Sequence, residues 1–234
     1  MLDQLVHELA RAAKDGVRAL VLAGEGGTFC AGSDLSAVEA ASSGLHLDHE
    51  LPDAPLIRAC AALEASPLPI VAALDGPVFG AGAELACACD LRVASPGARF
   101  CLPPARLGIV YSPEGCARVA RLLGLAQAKR LFFTAAVIDA NEARIIGLCE
   151  ELQAAPSAVA RALSLATEMA ALSAQSLSGM KRTFALLTGS LDADARAELD
   201  SLRRAAFQSA DAQEGRRAFL ERRSPQFNGS PNTK

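Results

Sequence analysis

The chain has 234 residues, 51% of them hydrophobic, a formal charge of −3, and only 4% aromatic residues with no Trp. That is ample core material for one large domain, or a domain with an appendage, and it excludes a disordered chain apart from the tail. Mild acidity with scattered basic residues argues against nucleic acid, as does the shortage of rings for base stacking. No apolar run approaches the ~20 residues that cross a bilayer, and the N-terminus reads as a charged amphipathic helix rather than a signal peptide.

Residues 2–14 place Leu2, Leu5, Val6, Leu9 and Ala13 on one helical face. Val17 to Ala23 is a continuous apolar strand of the kind buried on both faces. A glycine-rich loop, Gly24 to Ala31, leads through Gly32-Ser33-Asp34 into a short helix near residues 35–40. The polar dozen ASSGLHLDHELP reads as a loop, with His46, Asp48 and His49 as surface residues rather than metal ligands. A helix from about Pro55 to Ala65 follows. Then come an apolar run of strand length, Ile70 to Leu74, the turn Asp75-Gly76-Pro77, and the small-residue passage Gly80-Ala81-Gly82-Ala83. Strand, loop and helix thus occur twice, each loop ending in small residues.

Leu91 to Ala94 and Arg99 to Leu102 are two further strand candidates. Ser112-Pro113-Glu114 carries the cap, proline and acidic first turn of a helix start. Helices are expected at about 114–123, 126–134 and 140–147, the last capped by Asp139. From Pro156 the pattern is helical, at roughly 156–172, 175–188, 192–209 and 211–223, before a loose tail, SPQFNGSPNTK. The fold class is therefore α/β, with a strand-bearing core over 1–155 and a helical region over 156–234. Apolar helix faces at a chain end predict an oligomer.

Seven cysteines, mostly within apolar runs, read as reduced, buried thiols of a cytoplasmic protein. Cys87 and Cys89 lack a second pair at ligand spacing, so no metal site is expected. Ser33 lacks the elbow motif and partner His of a serine hydrolase. Asp90 reads as a structural hydrogen-bonding group. Lys181 and Arg182 fit either phosphate contacts or a charged helix face.

The stretch from Pro69 to Asp90, PIVAALDGPVFGAGAELACACD, is the most informative. Glu84 stands in the first turn of an otherwise apolar helix, whose unpaired amides favour negative charge. Alone, the stretch reads equally as a site or as a close-packed corner with Glu84 solvated. Taken with TFCAGSDL (Thr28 to Leu35), VFGAGAEL (Val78 to Leu85) supplies a second set of amides at a helix start. Two such amides converging on one oxygen make an oxyanion hole, in which one donor is worth ~3 kcal/mol of transition-state stabilisation.

These motifs closely resemble the crotonase (enoyl-CoA hydratase/isomerase) superfamily. FCAGSDL, PIVAALDGPVFGAGAELACACDLRVAS, RFCLPPARLGIVYSPEG, LFFTAAVIDANEARIIGL, SLSGMKRTF and EGRRAFLERRSPQF occur in the family's order. The resemblance implies a spiral of repeated ββα units, similar to ClpP and crotonase, with a C-terminal helical trimerisation region. It implies a homotrimer or dimer of trimers, an acyl-CoA thioester as substrate, and no cofactor beyond the coenzyme A that the substrate carries. The family's oxyanion donors fall on the amides of Ser33 and Ala81. Ala31, Ser33 and Leu35 match the segment lining the CoA adenine pocket, and Phe219 and Arg222 match tail positions that approach CoA. Arg222 reads alternatively as part of a solvated helix face.

Glu84 matches the first of two family glutamates, while the second falls on Pro104, which transfers no proton. Tyr111 and Glu114 are the substitute candidates. Tyr111 has a counterpart in the methylmalonyl-CoA decarboxylase branch, although the His that branch carries at the Ser33 position is absent. Glu114 also fits a helix-stabilising role. The resemblance thus implies an enolate-stabilising hydratase or isomerase, with a malonyl-type CoA decarboxylase or a non-catalytic acyl-CoA-binding homologue as alternatives. The family's usual strand pair ahead of the first helix is not seen before Met1.

Overall fold

The computed structural model describes residues 1–42, 50–187 and 192–229. His46, Asp48 and His49 lie outside the described residues. Helix α1 (Leu2–Lys14) leads to strand β1 (Leu20–Ala23), and the first glycine-rich loop runs into α2 (Leu35–Ser42). Helix α3 (Ala54–Ala65), strands β2 (Ile70–Leu74) and β3 (Pro77–Phe79), and helix α4 (Ala81–Ala88) follow. Strands β4 (Leu91–Ala94) and β5 (Arg99–Cys101) precede helices α5 (Pro104–Leu107), α6 (Pro113–Leu123) and α7 (Leu125–Thr134). Strand β6 (Ile138–Asp139), helix α8 (Ala140–Ile145) and strand β7 (Glu151–Leu152) close the strand-bearing part. Helices α9 (Val159–Ala170), α10 (Ala174–Leu186), α11 (Ala193–Gln208) and α12 (Ala210–Glu221) complete the described chain.

The strands form two sheets, one in the order β1-β2-β4-β7 and one in the order β3-β5-β6. The first is parallel throughout, so its neighbours are joined by helical crossovers. Strand β2 is buried along its whole length. Ile70, Ala72 and Leu74 face one core with Leu63, Val78 and Phe100, while Val71 and Ala73 face another with Val93, Ala162 and Ala166 of α9, and its cap residue Ala158. This two-sided burial is why the run reads as continuously apolar rather than alternating.

Several sequence expectations need correction. Strand β1 begins at Leu20 rather than Val17 and is only partly buried, because it lies at the sheet edge with β2 as its one partner. Strands β3, β6 and β7 and helix α5 have two to four residues each, too short to leave a periodic signal. The tail is not loose up to residue 229. The Gln226 amide donates to Glu214 at 3.0 Å, the Gly229 amide to Asp211 at 3.2 Å, and Arg18 to the Gly229 carbonyl at 3.0 Å.

Two cap expectations hold. The Ser112 hydroxyl accepts from the Gly115 amide at 3.0 Å, and Asp139 accepts from the Glu142 amide at 2.8 Å. Asp90 is structural: it accepts from the Ile70 amide and from Lys181 Nζ, both at 2.8 Å. Lys181 also donates to the carbonyls of Leu63 and Leu68, so it ties α10 to the turn ahead of β2. Arg182 pairs with Glu198 on α11. Among the described residues no helix is long and apolar enough to cross a membrane.

Candidate active site

Backbone pairing brings the two repeated loops together. Cys30 forms a parallel bridge with Val78. The Phe29 amide donates to the Asp75 carbonyl (2.7 Å), the Cys30 amide to Pro77 (3.1 Å) and the Phe79 amide to Cys30 (3.0 Å). Helix α4 then rests directly on the first loop at Gly82, where an added Cβ would stand 2.3 Å from the Cys30 carbonyl oxygen. Gly80, at φ 52 and ψ −114, makes the sharp entry into α4 that only glycine adopts readily. The glycine–alanine alternation of this stretch is therefore a packing requirement as well as a turn.

Ser33 and Ala81 both line one cavity of about 380 Å³, with Cys30, Gly32, Asp34, Asp53 and Leu85 also on its wall. Neither the Ser33 nor the Ala81 amide donates to an acceptor among the described residues. Ala81 is the first residue of α4, where amides have no intrahelical partner. Asp34 closes the start of α2 by accepting from the amides of Ser36 and Ala37 at 2.9 and 3.3 Å. Ala31 and Leu35 are exposed beside Ser33.

Glu84 is buried, not solvated. Its Oε1 accepts from Arg118 Nη1 at 2.8 Å, and its carboxylate lies flat on Gly115, where a Cβ would come within 2.8 Å of Oε1. Arg118 is itself buried and donates from Nε and Nη2 to both oxygens of Glu64, each at 3.0 Å. Burial raises the Glu84 pKa above its ordinary value, outweighing Arg118, which lowers it; the charge of Asp53 adds to the rise. The arrangement is a buried carboxylate paired with one guanidinium, in which burial favours the protonated form.

Tyr111 joins this group. Its hydroxyl would lie 3.4 Å from a Cβ on Gly80, and its ring meets Phe132 edge-on at 5.3 Å between centroids. Burial, and then the Glu84 charge, push its pKa up, so it stays a neutral donor. Glu114 is not brought in: it is exposed in the first turn of α6, while Gly115 and Arg118 face inward. Pro104 is buried at the start of α5. Phe219 and Arg222 lie exposed at the end of α12 and are not on the cavity wall. Burial pushes the thiols of Cys60 and Cys89 up to about 12, so both stay protonated.

Sequence reasoning passes over Arg118, Gly115 and Asp53. A signal for Arg118 exists, since a carboxylate in the apolar helix AGAELACA needs a cationic partner when buried, and the inward face of PEGCARVARLL offers one. Asp53 carries no such signal, because an aspartate just ahead of Ala-Pro is ordinary at a helix start.

Known proteins are similar to this chain over nearly its whole length. Residues 1–230 match the family model described as Enoyl-CoA hydratase/isomerase. The chain is 35% identical over 232 residues to the "Probable enoyl-CoA hydratase echA6" of Mycobacterium bovis, with 97% of this chain and 90% of that protein covered. It is 34% identical over 233 residues to the 2,3-dehydroadipyl-CoA hydratase of Escherichia coli, with 98% and 88% covered. Its fold matches the crystal structure of an enoyl-CoA hydratase from Polaromonas sp. JS666 with a TM-score of 0.87, at 26% identity and over 97% and 89% of the two chains. The likeness runs from the first helix to the last rather than through one glycine-rich loop, and on that ground the chain belongs to the enoyl-CoA hydratase/isomerase family and has the crotonase fold.

Proposed function

We propose that the protein acts on an enoyl-CoA thioester through an enolate, with hydration as the leading reaction. The observation that carries this reading is the shared cavity: Ser33 and Ala81, whose amides donate to no acceptor among the described residues, both line it, and Glu84 lies one helical turn beyond Ala81, off the cavity wall. Two amides aimed at one thioester oxygen stabilise the charge that develops there, with little reorganisation because the backbone holds them. Glu84 moves the proton at Cα. Ala31, Ser33 and Leu35, all exposed, would meet the adenine end of coenzyme A. The hydratase names of the relatives support hydration over a double-bond shift.

Assembly as a homotrimer or dimer of trimers belongs to the same proposal. Phe133, Ile145, Phe184, Phe207 and Phe219 are large apolar side chains exposed on the single chain, and a neighbouring subunit would cover such surface. Phe219 and Arg222 would then meet coenzyme A from an adjoining copy. Tyr111 supports a second reading, decarboxylation of a malonyl-type CoA thioester, because its hydroxyl lies against Gly80 at the entry to the Ala81 amide.

Turnover of crotonyl-CoA, a 3-enoyl-CoA and methylmalonyl-CoA by the purified protein separates these readings. Glu84→Gln is expected to lower hydration by about 100-fold or more; unchanged turnover would remove Glu84 from the mechanism. A pH test follows from the raised Glu84 pKa. The folded protein keeps this proton to higher pH than the unfolded chain, so the Glu84 contribution to stability falls as pH rises from the ordinary glutamate value through the raised one. Urea midpoints across that interval should decline in the wild type and flatten in Glu84→Gln. A wild-type decline that persists unchanged in the variant would assign it to another group.

A further inference from the structure

Among the described residues, three aspartates line the cavity: Asp3, Asp34 and Asp53. Asp3 is exposed in the first turn of α1, and Asp34 is occupied by the amides of α2. Asp53 stands at the cap position of α3, where an aspartate ordinarily accepts an amide of the first turn. It makes no such bond. The local donors are already committed: the Ala54 amide donates to the Leu51 carbonyl at 3.0 Å, Pro55 has no amide hydrogen, and the Leu56 amide donates to the Asp53 carbonyl at 2.9 Å. The carboxylate is left over. Its Oδ1 is buried and accepts no hydrogen bond.

A buried, unpaired carboxylate oxygen lowers stability and calls for a reason. The reason offered by this position is the cavity, where Asp53 shares a wall with Ser33, Ala81 and Leu85 and lies close enough for its charge to act on Glu84. Nothing at residue 104 supplies the second acid–base group that adding water across a double bond requires, because Pro104 has none to offer.

We propose that Asp53 is the second carboxylate of the acyl site and takes the proton from the attacking water. The assignment rests on the enoyl-thioester reading above. The Asp53 carboxylate removes a proton from water as the water oxygen bonds to Cβ. The Cα=Cβ electron pair shifts, and the resulting enolate charge collects on the thioester oxygen, held by the Ser33 and Ala81 amides. As the carbonyl re-forms, the enolate carbon takes a proton from the Glu84 carboxylic acid, whose protonated form burial favours. One water is added. Asp53 finishes protonated and Glu84 ionised, and proton exchange with solvent resets both.

The test compares two reactions of the full chain. One is hydration of crotonyl-CoA; the other is exchange of the Cα protons of butyryl-CoA with deuterated water, which needs enolate formation but no attacking water. Asp53→Asn is expected to lower hydration by about 100-fold or more and exchange far less, so that their ratio falls. Its urea midpoint should equal or exceed that of the wild type, since the partly buried carboxylate whose Oδ1 lacks a partner is replaced by a neutral amide. Glu84→Gln should lower both reactions together. An unchanged ratio in Asp53→Asn, or a lowered midpoint, overturns the assignment. A wild type that performs neither reaction overturns the thioester reading itself, and the Asp53 role falls with it.

Discussion

Two related loop sequences, Phe29 to Leu35 and Phe79 to Leu85, end in different physical states. Around the second, strand β2 is wholly buried, and so are Gly82 through Ala86 of α4. Around the first, β1 is half-exposed, and Ala31, Ser33, Asp34 and Leu35 are open to solvent. The Ala81 amide is therefore fixed by the core. The Ser33 amide is held by the three backbone hydrogen bonds of the Cys30 segment, the Gly82 contact and the Asp34 cap. The proposed donor pair thus has one half built into the core and the other registered against it by backbone pairing.

Three substitutions break this comparison at successive levels. The largest effect is expected for Arg118→Leu, which leaves the buried Glu84 without its cation. Stripping one partner from a buried pair costs about 3–5 kcal/mol, read as a fall in unfolding free energy in urea. A loss no larger than that of a surface pair, under about 1 kcal/mol, would show that Glu84 is hydrated rather than buried. Gly82→Ala comes next. Its Cβ would press on the Cys30 carbonyl, a backbone atom that cannot rotate aside, at about 1–3 kcal/mol of overpacking. Thermal unfolding should register that cost, and turnover should fall further than stability predicts as the loops separate. The smallest effect on stability is expected for Asp34→Ala, about 1 kcal/mol for a lost cap. Turnover of crotonyl-CoA should drop more than that if Ser33 depends on the cap, and equal losses would detach the two.

The contrast between loops also marks what the sequence made legible. The proposed site residues Ser33, Ala81 and Glu84 could be singled out because each sits in a short motif whose order along the chain is distinctive. The burial of Glu84 was not, since its partner Arg118 lies 34 positions away and becomes a neighbour only when α4 packs on α6. Glu114 was a candidate alongside Tyr111 but is turned outward, one step of helical phase away from the buried Gly115. Asp53 was hidden for the opposite reason. Aspartate followed by Ala-Pro is a normal helix start, and only the hydrogen-bond partners of Ala54 and Leu56 reveal that this carboxylate caps nothing. Long strands such as Ile70–Leu74 were plain in the sequence, whereas the three short strands and α5 depend on tertiary pairing for their existence.

The central claim is that the Ser33 and Ala81 amides hold a thioester oxygen, and the carbonyl stretch of bound butyryl-CoA, labelled with carbon-13 at the thioester carbon, tests it most directly. Ala81 is the first helical residue of α4, a position where proline is tolerated and removes only the amide hydrogen. In the wild type the bound carbonyl should absorb at lower frequency than in free solution, because hydrogen bonds polarise it. In Ala81→Pro that shift should largely disappear while binding persists. An equal shift in both proteins, or none in the wild type, would contradict the account.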